Sequence, residues 1–400
     1  MSHTILRSSF FDADKNGHGG NRRTAQLEEL VTSAGYGISD IGRDEIRDPI
    51  GNLFSGVHLV INKHNFPVHT PRRLVASGWA YRFYKKAFTE HSNVKLLLWE
   101  ANREHCLIAP YVAKDFQFKV LAVPHNIEAL VPGNTDPFTG KGFPLSLENE
   151  LKCLSQADSV FCISREEQWL LRSYGIEADF LPYYPPKSIL SELLKFRRMR
   201  DGLIDNRFLI LGTAHNPPTY VGMIQQIQLL NQISKNVDFH IDIAGYGTEQ
   251  LQEYCDGPNF TLHGTVDQGK LNYLLSNVKA ILVHQKAGAG ALTRIPEMLI
   301  AGVPIIANSN ACRSAFDYPG VYCYDNQVEL AAFMNKSLDF PPILERPVAA
   351  ERRFIDCFKH LVSLSTESQF ETTFDSSVRA ISEKLSSVRS HEAKLSGDRP

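Results

Sequence analysis

Several features that mark particular classes of protein are missing from this chain of 400 residues. Its formal net charge is -2, so it lacks the basic surplus that nucleic-acid binders usually carry. None of its seven cysteines forms a CxxC pair or a His–Cys cluster with metal-ligand spacing. Buried free thiols in a reducing compartment are the expectation, and no bound metal is expected.

Long apolar runs are also missing. No uninterrupted run reaches the roughly 20 residues that a membrane-spanning helix needs, and the first residues lack the apolar core of a signal peptide. These absences predict a cytoplasmic protein that is either free or attached peripherally to the inner face of a membrane.

Short apolar runs alternate with helical patterns along most of the chain, which is typical of a parallel α/β sheet. The expected strands of the first half are His3–Ser8, Val57–Asn62, Val94–Trp99, Lys119–Val123 and Ser159–Ser164, with another ending at Leu181. A second series has expected strands at Phe208–Gly212, Phe239–Ala244, Phe260–His263, Ala280–His284, Val303–Ala307 and Val321–Tyr324. Helices are expected over 22–34, 147–156, 219–234, 248–255, 268–277 and 292–301.

The proline-rich stretch 182–186 interrupts regular structure, because proline removes a donor and restricts the residue before it. The expected fold class is α/β, with two Rossmann-like doubly wound domains that face each other across a cleft. Their expected bounds are 1–185 and 207–345, joined by a linker over 186–206, with helices over 346–388 that return to the first domain and a flexible tail over 389–400.

The most informative segment is 284–307, in which a buried strand leads into a loop of glycine and alanine and then into a helix. Glycines let the backbone approach a ligand, and unpaired N–H groups at such a turn suit a diphosphate. The candidate contacts are Lys286, Gly288, Ala289, Gly290, Ala291, Leu292, Thr293 and, as a catalytic cation beside the leaving group, Arg294. Glu297 is a candidate acceptor for ribose hydroxyls. The alternative is a tightly packed turn of small residues, with Glu297 as an ordinary first-turn carboxylate.

Two further strands end in glycine turns. One turn contains Gly245, Tyr246 and Gly247, and the other contains Thr265 and Val266. Both should open on the same edge of the sheet, where exposed backbone can contact a base and its phosphates. Taken singly, either is more often an ordinary strand-to-helix turn.

The order of these segments resembles a known family. Ala244-Gly-Tyr-Gly247, then His263-Gly-Thr-Val266, then Gly290-x-x-Thr-Arg-x-x-Glu297-x-x-x-x-Gly-x-Pro-Ile-Ile is similar to the donor half of GT-B glycosyltransferases, especially family four. The resemblance implies a metal-independent, retaining, hexosyltransferase-like enzyme that moves a sugar from a nucleotide-sugar to a hydroxyl of a glycan, a lipid-linked saccharide or a small molecule. It also implies that Val266 lies by the base, Glu297 on the ribose and the 288–292 backbone on the phosphates.

The first half agrees with this resemblance. Pro124-His-Asn-Ile-Glu128 follows a buried strand, and Gly17-His-Gly-Gly-Asn-Arg-Arg23 lies between the first strand and the first helix. By resemblance, Gly19 and Gly20 face the donor phosphates, and His125 polarises an acceptor hydroxyl or contacts the sugar. Arg22 is a third catalytic candidate, because positive charge at a helix start opposes the dipole. The alternatives are a structural histidine and an arginine paired with Glu28.

Two departures from the family keep other functions open. The family's first glutamate is replaced by Ala289, and the usual Arg and Lys are missing from the loop Gly212-Thr-Ala-His-Asn-Pro-Pro218. A sugar-nucleotide epimerase of the same fold and a non-catalytic protein that binds a partner or glycan are therefore the alternatives.

A last segment, 71–88, mixes basic and aromatic residues without an acidic one. Such a helix either lies on an anionic membrane surface or is an ordinary surface helix whose aromatics pack inward.

Overall fold

The chain forms two parallel sheets of six strands each, both flanked by helices. The computed structural model describes residues 3–14, 17–42, 48–63, 71–91, 94–101, 107–132, 146–200, 206–235 and 237–366. The strands of the first sheet are β1 Thr4–Ser8, β2 Gly37–Asp40, β3 Leu96–Trp99, β4 Lys119–Ala122, β5 Ser159–Cys162 and β6 Ala178–Phe180. Those of the second sheet are β7 Arg207–Leu211, β8 His240–Ala244, β9 Phe260–Gly264, β10 Ala280–Val283, β11 Ile305–Asn308 and β12 Val321–Tyr324.

The helices connect these strands on both faces of each sheet. In the first lobe they are α1 Gly19–Ser33, α2 Pro49–Asn62, α3 Pro71–Glu90, α4 Ala109–Asp115, α5 Leu147–Leu154 and α6 Arg165–Ser173. They continue with α7 Lys187–Met199, α8 Pro217–Ile233, α9 Gln268–Ser276, α10 Arg294–Ile300, α11 Gln327–Asn335 and α12 over 348–366. Short 3-10 segments lie at Glu128–Leu130 and Thr248–Tyr254. The expected fold class, two doubly wound α/β domains, is confirmed.

In such sheets, ligands bind at the point where the strand order reverses. The first sheet runs β2-β1-β3-β4-β5-β6, so its reversal lies between β1 and β3. The second runs β12-β11-β10-β7-β8-β9, with its reversal between β7 and β10. All the strand pairs are parallel, so the loops after β1, β3, β7 and β10 lie at the carboxyl edges of their sheets.

One expected strand is wrong. Residues 57–62 are the second half of α2, in which Asp48 caps Gly51 N–H and Pro49 occupies the first turn. A short run of apolar, partly β-branched residues fits a buried strand and a buried helix equally well. The Asp-Pro start signal at 48–49 was the feature that favoured a helix.

Smaller differences concern short elements. The edge strand β2 was not expected, since its four residues include a glycine and an aspartate. The segment 248–254 is a 3-10 helix, and α10 starts at Arg294, two residues after the expected start at 292.

Helix α7 packs against the second lobe, and helix α12 packs against the first. In α7, within the expected linker, Phe196 packs in the core of the second lobe and Arg197 donates to the carbonyl oxygens of Leu299 and Ile300. In α12, Phe354 and Phe358 are fully buried against the first sheet, in a cluster that includes Ile5 of β1. The chain therefore crosses between the lobes twice.

The aromatic residues of α3 mostly face the core of the first lobe. Phe83, Tyr84 and Phe88 are buried there, and Trp79 is half-buried in a stack on Phe83. This inward packing is what we expected of 71–88 if it were an ordinary surface helix and not one lying on a membrane. Within the described ranges, no helix combines the length and apolarity needed to cross a bilayer.

Candidate functional site

The glycine–alanine turn lies at the reversal point of the second sheet, directly after β10. Gly290 in this turn is buried, whereas Gly288, Ala289, Ala291, Leu292 and Thr293 are half-exposed. Gly288 and Gly290 have φ of 150° and 70°, conformations that favour glycine. The turn is therefore open to solvent on part of its surface.

The turn is oriented by Arg313, which the sequence had not singled out. Its guanidinium donates to the carbonyl oxygens of Ala289 and Gly290, each at 3.2 Å, and to Gln285 Oε1 at 2.8 Å. In a trans peptide the N–H points opposite to the carbonyl. The N–H groups of Gly290 and Ala291 therefore point away from Arg313.

The Gly290 N–H meets the first lobe. It donates to Glu167 Oε1 at 2.8 Å, and the same oxygen accepts the N–H of Ile127 at 2.7 Å. A Cβ on Gly290 would lie 2.7 Å from the carbonyl oxygen of His125 and 2.3 Å from Asn126 Oδ1. Among the described residues, the N–H groups of Ala291 and Leu292 have no acceptor within hydrogen-bond distance.

Glu297 lies one turn further on and is almost inaccessible, with 2% of its side chain exposed. Its Oε1 accepts the hydroxyl of Tyr183 at 2.6 Å, and its Oε2 accepts the guanidinium of Arg22. Burial raises the pKa of the Glu297 carboxyl, and Arg22 and Tyr183 oppose that rise. Both oxygens of the expected ribose acceptor thus have partners from the first lobe.

Arg22 comes from the first turn of α1, so its ion pair with Glu297 crosses between the lobes. Its Nε also donates to the carbonyl oxygen of Gly17 at 3.2 Å. The alternative partner Glu28 instead pairs with Arg7 at 3.1 Å. The guanidinium of Arg22 is therefore held at the interface between the lobes, beside the first turn of α10.

The other two expected cations lie on either side of the turn. Arg294 donates to the carbonyl oxygen of Leu211 at the end of β7, and burial lowers its pKa. Lys286 is exposed before the turn, and its carbonyl oxygen accepts Asn310 Nδ2 at 2.8 Å. Arg294 thus joins the start of α10 to the end of β7, while the Lys286 side chain reaches solvent.

The glycine turn after β8 packs closely on the end of β7. A Cβ on Gly245 would lie 1.9 Å from the carbonyl oxygen of Gly212, so this glycine permits close contact of two strand ends. Tyr246 is 60% exposed and its ring lies 4.4 Å from that of His215. Gly247, with φ of 78°, begins the 3-10 segment that follows.

After β9, Thr265 is exposed and Val266 is half-buried against the core of the second lobe. The structure thus places the three strand-end turns at one edge of the second sheet, as the parallel pairing requires.

In the first lobe, His125 is buried after β4 and its Nε2 lies 2.7 Å from Glu100 Oε2. Glu100 follows β3, and the same oxygen accepts the hydroxyls of Ser9 at 3.0 Å and Thr24 at 2.5 Å. A carboxylate on Nε2 favours the tautomer with the proton there. Glu100 had not been singled out in the sequence, where it follows an apolar run without a motif.

Gly19 and Gly20 begin α1, where the N-cap His18 accepts the Gly20 N–H at 3.2 Å. A Cβ on Gly19 would lie 2.8 Å from Thr293 Oγ1 of the second lobe, and one on Gly20 would lie 2.6 Å from the ring of Phe11. The start of α1 therefore adjoins the start of α10 across the interface.

Glu167 connects three elements of this interface. It lies in the first turn of α6, which Ser164 caps by accepting the Glu167 N–H at 3.2 Å. From there its carboxylate reaches the N–H groups of Ile127 and Gly290. Burial raises the pKa of this carboxyl from 4.5 to about 7, against the lowering effect of these donors.

This pKa predicts how stability depends on pH. The folded protein binds the Glu167 proton more tightly than the unfolded chain, so its contribution is fully present below pH 4.5 and is lost as pH rises toward about 7. Glu167→Gln keeps an acceptor oxygen but removes the titration. We expect its free energy of unfolding to fall less between these pH values than that of the wild type, by on the order of 3 kcal/mol.

Denaturant titrations at several pH values measure this difference. The exposed Glu177→Gln is the matched control and should follow the wild type. Parallel pH profiles for Glu167→Gln and the wild type would remove Glu167 from this account.

A second contact joins the lobes beside the turn. Glu166 accepts both the N–H and the hydroxyl of Ser314, and Ser314 Oγ accepts the N–H of Arg165 at 2.8 Å. The first turn of α6 thus contacts the segment after β11, and adjacent glutamates of α6 contact two different segments of the second lobe.

The overall structure is similar to solved structures of sugar-transferring enzymes. Sucrose-phosphate synthase from Thermosynechococcus elongatus matches 94% of this chain and 100% of its own, with a TM-score of 0.53 and 15% identity. Trehalose 6-phosphate synthase from Burkholderia multivorans matches 97% and 98%, with a TM-score of 0.55 and 11% identity. Anabaena HepE in complex with UDP matches 92% and 99%, with a TM-score of 0.51 and 11% identity.

No protein-family model and no curated protein sequence matches the chain. At these identities the likeness establishes the fold, and the chain has the GT-B fold, as the sequence resemblance predicted.

Proposed function

We propose that this protein transfers a glycosyl group from a nucleotide-sugar to a hydroxyl acceptor, in the cleft between its two lobes. The observation that carries the proposal is the turn at 287–293, which presents unpaired N–H groups beside the start of α1. One solved structure with the same fold is named as a UDP-forming trehalose-phosphate synthase, and HepE was solved in complex with UDP-glucose and with UDP, which supports this class of donor.

The donor diphosphate binds the N–H groups of Ala291 and Leu292 in this proposal. The Ala291 N–H points away from Arg313, whose contacts hold the turn in place before the ligand arrives. Preorganised donors of this kind stabilise charge on a leaving group without reorganisation during the reaction. Lys286 and Arg294 add positive charge on either side of the turn.

Arg22 exchanges partners when the donor binds. In the structure each oxygen of Glu297 already accepts one hydrogen bond, from Arg22 and from Tyr183, and only 2% of the side chain is exposed, so a ribose has no access to it. Ribose hydroxyls that hydrogen-bond to Glu297 replace Arg22, whose guanidinium is then released next to the diphosphate. The same movement that makes room for the ribose thus supplies a cation to the phosphates.

His125 and Glu100 act on the acceptor side. The Glu100 carboxylate orients the imidazole through a hydrogen bond to Nε2. A histidine held in this way is suited to polarise an acceptor hydroxyl or to contact the transferred sugar. The charge of the diphosphate is balanced by side chains and N–H groups, so transfer is metal-independent here, and by family resemblance it retains the anomeric configuration.

A panel of UDP-, GDP-, ADP-, dTDP- and CMP-sugars tests the donor class by thermal shift, because a ligand of the native state raises the melting temperature. We expect a clear rise with one nucleotide series. The stabilising donor is then incubated without acceptor, where a transferase leaves the sugar configuration unchanged and an epimerase converts it. No shift with any donor would contradict the proposal.

Glu297→Gln tests the ribose contact. Glutamine keeps an acceptor for Tyr183, but it loses the negative charge that strengthens hydrogen bonds from ribose hydroxyls. We expect nucleotide affinity to fall about tenfold, the equivalent of one charge-assisted hydrogen bond. Calorimetry measures the affinity, with Glu177→Gln as control, and equal affinities for Glu297→Gln and the wild type would remove the contact.

A further inference from the structure

One helix of the first lobe has an apolar face that is exposed to solvent. On α2, six large apolar side chains are 37% to 71% exposed: Ile50, Leu53, Phe54, Val57, Val60 and Ile61. Their spacing of three and four residues places them on one side of the helix. This apolar stripe extends about 16 Å along the helix axis.

The inner side of α2 explains why the stripe stays exposed. Its buried residues are Asn52, Gly56 and Leu59, and they face α3. A Cβ on Gly56 would lie 2.0 Å from the carbonyl oxygen of Leu74, and one on Gly78 would lie 1.7 Å from that of Asn52. The two helices therefore touch backbone to backbone along a narrow line, which leaves the larger side chains of α2 outside the contact.

Charge around the stripe has one dominant sign. Between 49 and 62 the helix has no Asp, Glu, Lys or Arg and one histidine, His58. The segment 48–91 contains six Lys and Arg against two Asp and Glu. Ser55 of α2 and six residues of α3 line a hollow of 480 Å³, and three of these residues are basic, Arg82, Lys85 and Lys86, against one acidic residue, Glu90. Arg82 is half-buried and pairs with Asp48 at 2.7 Å. Lys85 and Lys86 are exposed to solvent. The chain as a whole carries a net charge of -2, so this surface is a local exception.

We propose that α2 docks on the surface of an anionic lipid bilayer, with the apolar stripe inserted among the lipids and the lysines of α3 at the headgroups. An apolar helix face with flanking cations binds such surfaces through buried area and electrostatic attraction together. Pairing with a second copy of this chain would instead place two like-charged rims opposite each other, which is unfavourable. The exposed apolar surface is thus on α2, while the aromatic side chains of α3 mostly pack inward.

Vesicle sedimentation tests the docking, with phosphatidylcholine vesicles that either contain or lack phosphatidylserine. The wild type should pellet with the anionic vesicles and be released by salt. The triple variant Ile50→Ser, Phe54→Ser, Ile61→Ser should lose roughly a hundredfold in partitioning, because each apolar side chain contributes to insertion. Lys85→Glu leaves the stripe intact and should weaken binding to anionic vesicles only.

A matched control changes three exposed apolar residues elsewhere, Val328→Ser, Ile343→Ser and Val348→Ser, and should partition like the wild type. Nucleotide affinity, measured by calorimetry, should be unchanged in both triple variants, which separates this proposal from that of the transfer reaction. The proposal is overturned if the wild type stays in the supernatant with anionic vesicles, or if the α2 variant and Lys85→Glu both pellet like the wild type. A wild-type dimer that the α2 variant converts to a monomer in analytical ultracentrifugation would assign the stripe to a second copy.

Discussion

Arg22→Ala should lower kcat roughly a hundredfold while the protein stays folded, because a cation that stabilises the leaving diphosphate is worth several kcal/mol. Among the three candidate cations, Arg22 is the one whose contacts, within the described residues, connect the two lobes. It donates to Glu297 of the second lobe and to the carbonyl oxygen of Gly17 in the first. The variant leaves Glu297 its hydrogen bond from Tyr183. The rate is measured at saturating donor, with the fold checked by circular dichroism.

Two further variants show whether the loss of rate is specific to Arg22. Arg22→Lys keeps the charge but loses the planar fork of donors, so it should recover part of the rate. Arg353→Ala removes an arginine from the exposed face of α12 and should leave the rate unchanged. Turnover of Arg22→Ala equal to that of the wild type would exclude Arg22 from the reaction.

Gly290→Ala should abolish most turnover by keeping the lobes apart. The new Cβ would lie 2.7 Å from the backbone oxygen of His125, so the backbone of one lobe must move away from the other to relieve the contact. Closure excludes water and completes the site, so its loss should lower kcat/KM at least about a hundredfold. Small-angle scattering should show a larger radius of gyration for the variant.

Gly175→Ala is the matched control for backbone strain. Gly175 has φ of 75° and Gly290 has φ of 70°, but a Cβ on Gly175 meets nothing within 4 Å. Both variants therefore carry a similar cost of roughly 1 kcal/mol for a left-handed alanine, and only Gly290→Ala obstructs the lobes. If the two variants had equal activity and equal size in solution, the turn would have no part in closure.

Most of the fold could be predicted because parallel sheets are buried on both faces. Runs such as Ala280–Val283 and 305–307 are apolar throughout, and they alternate with helical patterns. The prediction of a strand at 57–62 was wrong because a short apolar run also fits a helix, and these residues form the second half of α2. The edge strand β2 was missed because its residues, Gly37–Asp40, are half-buried or exposed and carry no apolar run.

The candidate site was only partly predictable, for a different reason. Glycines mark the turns that follow strands, so Gly288 and Gly290 could be recognised from the neighbouring sequence alone. Partners that approach from the other lobe carry no local signal: Tyr183 lies in a proline-rich stretch, and Glu167 looks like the last residue of an Ser-x-x-Glu capping box. The role of Arg313 could not be predicted from the sequence either, because it depends on two carbonyl oxygens more than twenty residues away.

The most direct test of diphosphate binding at the 287–293 turn is to follow the glycine amides of that turn by NMR. With glycine labelled by ¹⁵N, the 26 glycine amides can be followed while the nucleoside diphosphate of the stabilising series is added. The account predicts that Gly288 and Gly290 shift strongly with the diphosphate and hardly at all with the parent nucleoside, while Gly175 and Gly257 stay in place. Saturation with nucleotide that leaves Gly288 and Gly290 unmoved would contradict it.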